Sequence, residues 1–186
     1  MNPFYIILSV AALLLIGGIA IYNGLVSGRA LVDEAWSGIS VQLKRRFDLI
    51  PNLVTTVKGY AKHESETLEK VIQLRNAAVY ASPLDVSAQA QASAALSQGL
   101  RSVFALAENY PDLKANQNFA DLQAAVEKIE DDLQNSRRYY NATVRDYNTK
   151  CDSFPSNLVA GLFHFSKKMF FELANPEESQ NVKISF

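Results

Sequence analysis

The sequence predicts an all-α protein: an N-terminal transmembrane helix followed by an antiparallel up-and-down four-helix bundle. Three observations carry that expectation. No charged side chain occurs from Asn2 to Gly28. Beyond it, apolar residues recur at spacings of three and four, the period of a helix with one buried face. Alternation of period two, which a half-buried strand requires, is rare and short.

Phe4 to Tyr22 (FYIILSVAALLLIGGIAIY) is almost wholly apolar. As a helix it rises ~28 Å, close to the hydrocarbon thickness of a bilayer. Tyr5 and Tyr22 stand where interfacial aromatics sit. No Lys or Arg precedes the run and the small-x-small cleavage pattern is poor, so the segment reads as an uncleaved anchor rather than a signal peptide. Arg29 and then Lys44, Arg45 and Arg46 follow it, so the N-terminus is expected outside and the helical body in the cytoplasm. The expected division is residues 1–28 as anchor and exit, 29–175 as bundle and 176–186 as tail.

Val32, Ala35, Trp36, Ile39, Leu43, Phe47 and Ile50 form the first bundle stripe, and it resumes beyond Pro51 as Leu53, Val54, Val57, Tyr60, Ala61, Leu68, Val71 and Ile72. Pro51 lacks an amide proton and crowds the Phe47 carbonyl. The expectation is a kinked helix, or two nearly collinear ones, from Val32 to Ala81. Ser82-Pro83-Leu84-Asp85 is a loop signal, with the next helix starting near Val86. Its opening, SAQAQASAA (Ser87 to Ala95), has helix propensity but little to bury, so those turns are expected to be the mobile part of the body. Tyr110-Pro111-Asp112 ends that helix. Asn118 is the expected N-cap of the next, whose seam is Phe119, Leu122, Val126, Ile129, Leu133, Ser136, Tyr140, Thr143 and Tyr147, running to about Asp152. A shorter aromatic-rich helix is expected from Asn157 to about Leu173.

Net charge is -1, which gives no basic field for nucleic acid. The single cysteine, Cys151, forms no internal disulfide. His63 and His164 lie outside any Glu-x-x-His or His-Glu-x-x-His spacing, and read as surface or bundle-end residues. No catalytic residue, cofactor or metal ligand is expected. Lys44, Arg45 and Arg46 fan around their helix, stems beside Leu43 and Phe47 and charges in water, with Glu127, Glu130, Asp131 and Asp132 as candidate ion-pair partners and anionic lipid as the alternative contact if they lie close to the membrane surface. The polar half of the long helix, from Arg137 and Arg138 through Tyr140 to Asn148, is either a hydrogen-bonded layer or a groove for a peptide or partner helix. The last aromatic piece, with Phe163, Phe165, Lys167, Lys168, Phe170 and Phe171, has three open fates: the bundle, the bilayer or a neighbouring subunit.

Tyr22 to Glu64 (YNGLVSGRALVDEAWSGISVQLKRRFDLIPNLVTTVKGYAKHE) and Asn135 to Ala160 (NSRRYYNATVRDYNTKCDSFPSNLVA) resemble, in order, the two signatures of the LemA family of bacterial membrane proteins. The resemblance implies a single-pass anchor, an antiparallel four-helix bundle and no catalytic residues to carry over. It also implies similarity to proteins implicated in shaping bacterial membranes. Cys151 departs from the aliphatic residue usual there. The function expected is a membrane-anchored scaffold that self-associates or recruits partners, its contacts being membrane lipid, other copies of itself and membrane proteins. The alternative is an adaptor subunit for a membrane protease or sensor kinase.

Overall fold

The computed structural model describes residues 3–82 and 85–172. Among the described residues every regular element is helical: α1 (Pro3–Tyr60), α2 (Ser65–Tyr80), α3 (Val86–Ala107), α4 (Pro111–Lys114), α5 (Gln117–Asp152) and α6 (Ser156–Leu162). The tail at 176–186 and the C-terminal end placed near Leu173 lie outside the described residues, as do Pro83 and Leu84 of the loop signal. The chain forms two compact units. One comprises Met1–Ile39 with Ser136–Phe170, the other Ser40–Asn135 with Phe171–Phe186.

In the second of these units four long helical segments line one core. Ile50, Leu53, Val54 and Val57 come from α1; Leu68, Val71 and Ala78 from α2; Leu96, Leu100, Val103 and Ala107 from α3; Phe119 and Val126 from α5. Successive segments run antiparallel. The Tyr110 hydroxyl meets Glu64 at 3.2 Å while the Gln89 amide donates to the Ala81 carbonyl at 2.8 Å, pairing opposite ends of α2 and α3. Between these ends the two helices approach closely at Gly99, where a Cβ would stand 2.8 Å from a Leu74 methyl. Short connections with an apolar stripe on each helix leave this arrangement as the way to bury all the stripes at once.

The break after the first stripe is displaced from its expected place. α1 continues through Pro51, and the chain turns instead at residues 61–64, between α1 and α2. Ala61 to Leu68 carries no large apolar residue between its ends, so no buried face demands that the helix go on. The proline is accommodated by α2. Pro51 cannot donate to the Phe47 carbonyl, and Arg75 Nε donates to that oxygen at 3.3 Å. The N-cap of α5 is Asn116, whose Oδ1 accepts from the Phe119 amide at 3.0 Å, two residues before the Asn118 expected. Asp85 caps α3, accepting from the Ala88 amide at 2.9 Å, so α3 starts at Val86 as expected.

In the other unit, α1 and α5 also run antiparallel. Gly28 faces Tyr147, where a Cβ would stand 3.2 Å from the ring, and Trp36 packs on Tyr140 with centroids 5.5 Å apart. Burial on α1 begins at Leu25, about two turns before the expected Val32. On α5 the expected seam is joined by Val144 and Cys151, both buried. Upstream of Gly18 every described residue of the helix is exposed, Leu14 by 72%, and none of its most apolar window is buried.

If Arg75 serves the carbonyl that Pro51 abandons, the two residues are coupled. Arg75→Ala should destabilise the protein by about 1–3 kcal/mol, the cost of an unsatisfied half-buried carbonyl. In a Pro51→Ala background, where residue 51 regains its amide, the same change should cost measurably less in thermal unfolding followed by circular dichroism. Equal costs in both backgrounds would contradict the assignment.

Candidate functional site: a buried arginine and a held peptide

The cations Lys44, Arg45 and Arg46 separate. Lys44 is exposed and pairs with Asp48 at 3.0 Å along the helix; Arg45 is exposed. Arg46 is 0% exposed, which corrects the expectation that its charge reaches water. The space comes from small residues. Ser93 and Ser97, one turn apart on α3, leave room where larger side chains would close the interior. Arg46 Nη2 donates to Ser97 Oγ at 2.8 Å, and Nη1 lies 3.3 Å from Ser93 Oγ and 3.4 Å from its carbonyl. Nη2 also pairs with Glu130 Oε1 at 2.9 Å, one of the acidic residues named as candidates from sequence. Ser97 Oγ lies 3.3 Å from Glu130 Oε2 and 3.1 Å from the Ser93 carbonyl, so its single proton serves one of the two.

A planar guanidinium suits this task because its donors point along fixed, divergent directions. Removing it from water costs several kcal/mol, recovered only where geometry and further hydrogen bonds are good. The opening of α3 is accordingly far from idle: Gln89, Ala90 and Ser93 are buried. Sequence reasoning passed over it because serine and alanine offer little apolar area. The i, i+4 serine pair facing a basic stripe was the available signal.

A second polar constellation lies on α5. α6 stops at Leu162, well short of the expected Leu173. His164 adopts φ 56°, the Phe165 amide donates to the Ala160 carbonyl at 2.9 Å, and the His164 amide to Gly161 at 3.4 Å. That double bond pattern is a Schellman close, with histidine where glycine is usual. Beyond it the chain is non-helical and α5 holds it. The Asn148 side chain grips both sides of one residue: its Nδ2 donates to the Lys168 carbonyl and its Oδ1 accepts from the Lys168 amide, each at 2.9 Å. The Tyr140 hydroxyl donates to the Met169 carbonyl at 2.9 Å. Lys168 pairs with Asp33 at 3.0 Å and Lys167 with Asp152 at 3.1 Å. This polar face is thus a hydrogen-bonded one whose partner is a non-helical stretch of the chain's own backbone.

The tyrosines of this face are held neutral. Burial, then the Asp33 charge, raises the Tyr140 phenol above its usual value. Tyr147 is pushed up to about 12, by burial first, then by the Cys151 thiol beside it and by Asp33, with Arg29 opposing. Its buried hydroxyl makes no hydrogen bond of good geometry. Phenols so poised do not exchange protons near neutral pH. What the arrangement does is hold a backbone.

The remaining candidates divide by exposure. Arg138, Phe163, Lys167 and Phe170 are exposed, while Arg137, Phe165 and Lys168 are half-buried. Phe171 is buried, so it is withdrawn from the candidate contact surface. His63 and His164 are exposed, and among the described residues no group of three or more His, Cys, Asp or Glu side chains is placed to hold a metal ion.

Among the described residues, regular elements that are all helical, one uncovered apolar helix end, a four-segment core, a buried arginine and a self-held peptide define a helical-bundle protein with one candidate membrane span. Residues 35–186 match the model of the LemA family, and the chain belongs to that family. A relative, Protein LemA of Metamycoplasma hominis, is 28% identical over 143 residues, 74% of this chain. The chain spans 63% of that relative's length. The family match begins at residue 35, so the apolar end of α1 rests on its own composition.

Asn148→Ala should release the held segment while leaving the helices in place. Amide exchange of a peptide covering residues 165–170 should quicken about tenfold or more, the kinetic equivalent of one or two lost hydrogen bonds. Unchanged exchange there would show that the segment is held by something else.

Proposed function

We propose that the protein is a single-pass, membrane-anchored scaffold whose helical body stands on the cytoplasmic face of a bacterial inner membrane and associates with further copies of itself or with membrane proteins. One observation carries the reading: the N-terminal part of α1 is long and apolar enough to cross a membrane, and among the described residues none of its most apolar window is buried. Exposed leucine on every side of a helix is unfavourable in water and favourable in hydrocarbon. The cations that follow, Arg29, Lys44 and Arg45, support the cytoplasmic placement. Anchoring confines every copy to two dimensions, which raises effective concentration and lets weak lateral contacts assemble.

The polar groups support a scaffold rather than a catalyst. Tyr140, Asn148, Asp33 and Asp152 are spent on holding the chain's own segment, and Arg46 and Glu130 on the core. Surfaces left for contact include Arg138 and the exposed aromatics.

The whole chain should pellet with membranes through alkaline carbonate washing. Extracted in polymer-bounded native-lipid discs and weighed particle by particle, it should give multiples of the single chain. Strictly monomeric discs would remove self-association, and one stoichiometric foreign partner would favour the adaptor reading. Protein recovered in solution would remove the anchor.

A further inference from the structure

α6 is built inside out. Ala160 is buried and Val159 half-buried, while Leu158 and Leu162, one turn apart on the opposite face, are exposed, Leu162 by 73%. Phe154 before the helix is 80% exposed and Phe163 after it is exposed too. A short amphipathic helix in water would turn these residues inward. Here the polar side chains do not shield them.

The position of this apolar foot is fixed by aromatic contacts to α1. The Phe163 ring meets the edge of Tyr22 with centroids 4.8 Å apart, and Phe165 meets the same tyrosine at 5.6 Å. Tyr22 is the last residue of the uncovered apolar run. The foot is therefore continuous with that run, at the level where the helix leaves it. Cations stand at the same level. The Arg29 guanidinium lies 5.3 Å from the centre of the Phe165 ring, and the Lys150 ammonium lies 4.0 Å from where a Cβ on Gly28 would be. Leucine and aromatic side chains facing outward beside a span, with Arg and Lys just beyond, is the arrangement that suits the boundary between acyl chains and headgroups. Asp33 and Asp152, also present, are each paired with a lysine and do not oppose it.

We infer that α6 with Phe154, Leu158, Leu162 and Phe163 is a second membrane contact, a foot that dips into the interface of the same bilayer that α1 crosses. The inference rests on the anchored reading above. It gives the Schellman close and the Asn148 grip a purpose: they stop α6 after two turns and hold the chain beyond it, so the foot keeps its place at the base of the span.

The test uses the full chain with Trp36→Phe, reconstituted in phosphatidylcholine–phosphatidylglycerol vesicles brominated near the headgroup end of the acyl chains to read residue 162 and near their methyl end to read residue 13. Leu162→Trp places a reporter on the foot and Leu13→Trp one in the span. Circular dichroism checks that both remain helical. Emission from residue 162 should be blue-shifted and quenched about twofold or more, as for a side chain sunk into the interface. Quenching at residue 13 without quenching at residue 162 overturns the foot and leaves the anchor standing. A blue-shifted but unquenched residue 162, varying with protein-to-lipid ratio, also overturns it, because a second copy then covers the patch. Absence of quenching at both residues removes the anchored reading and the foot with it.

Discussion

A guanidinium with no access to water has to be met on every side, and in the unit that contains it Arg46 sets the terms for its neighbours. It rises from α1, takes hydroxyl oxygens from Ser93 and Ser97 on α3, and meets the Glu130 carboxylate on α5. Three helices are thereby tied at one level. Apolar side chains tolerate sliding by a turn at modest cost, because one leucine can replace another. A slide that moves Arg46 away from Glu130 leaves an unmet charge in the interior. The apolar stripes make the bundle form; this polar level selects one alignment of it.

The other unit solves a different problem by the same means. The backbone beyond α6 has left helical conformation and must find partners for its amides and carbonyls. Asn148 supplies both for Lys168, and Tyr140 supplies one for Met169. Because Asn148, Tyr140 and Tyr147 lie at helical spacing on α5, a seam that begins with leucine and valine continues with polar groups. There the seam serves two partners: α1, which packs on Tyr140 and Tyr147, and the peptide, which Tyr140 and Asn148 hold.

Much of this was legible. The apolar stripes of α1 and α5, the uncharged N-terminal run and the loop before Val86 each express one strong physical preference repeated over many residues. What was not legible depended on single contacts. Nothing local to Pro51 says that Arg75, distant in sequence, will serve the abandoned carbonyl and so let the helix pass. The turn at residues 61–64 is marked only by a gap in the stripe. Ser93 and Ser97 matter because of the void they leave, and a void is a property of what stands opposite. The end of α6 is set by His164 in a conformation that glycine more often supplies, in a stretch whose composition reads as helix throughout. The peptide-holding role of Asn148 could be posed as one of two alternatives but decided only once the chain beyond α6 had been placed.

The buried charge is most directly examined through its asymmetry. Arg46 is 0% exposed, whereas the Glu130 side chain is 35% exposed. Removing the anion strands a charge that water cannot reach; removing the cation strands one that water can partly hydrate. Unfolding of Glu130→Leu and Arg46→Met should be compared under identical conditions with the unaltered chain. Glu130→Leu is expected to lose about 3–5 kcal/mol, and Arg46→Met distinctly less. The reverse order, or two losses within about 0.5 kcal/mol of zero, would contradict the view that this ion pair governs the packing around it.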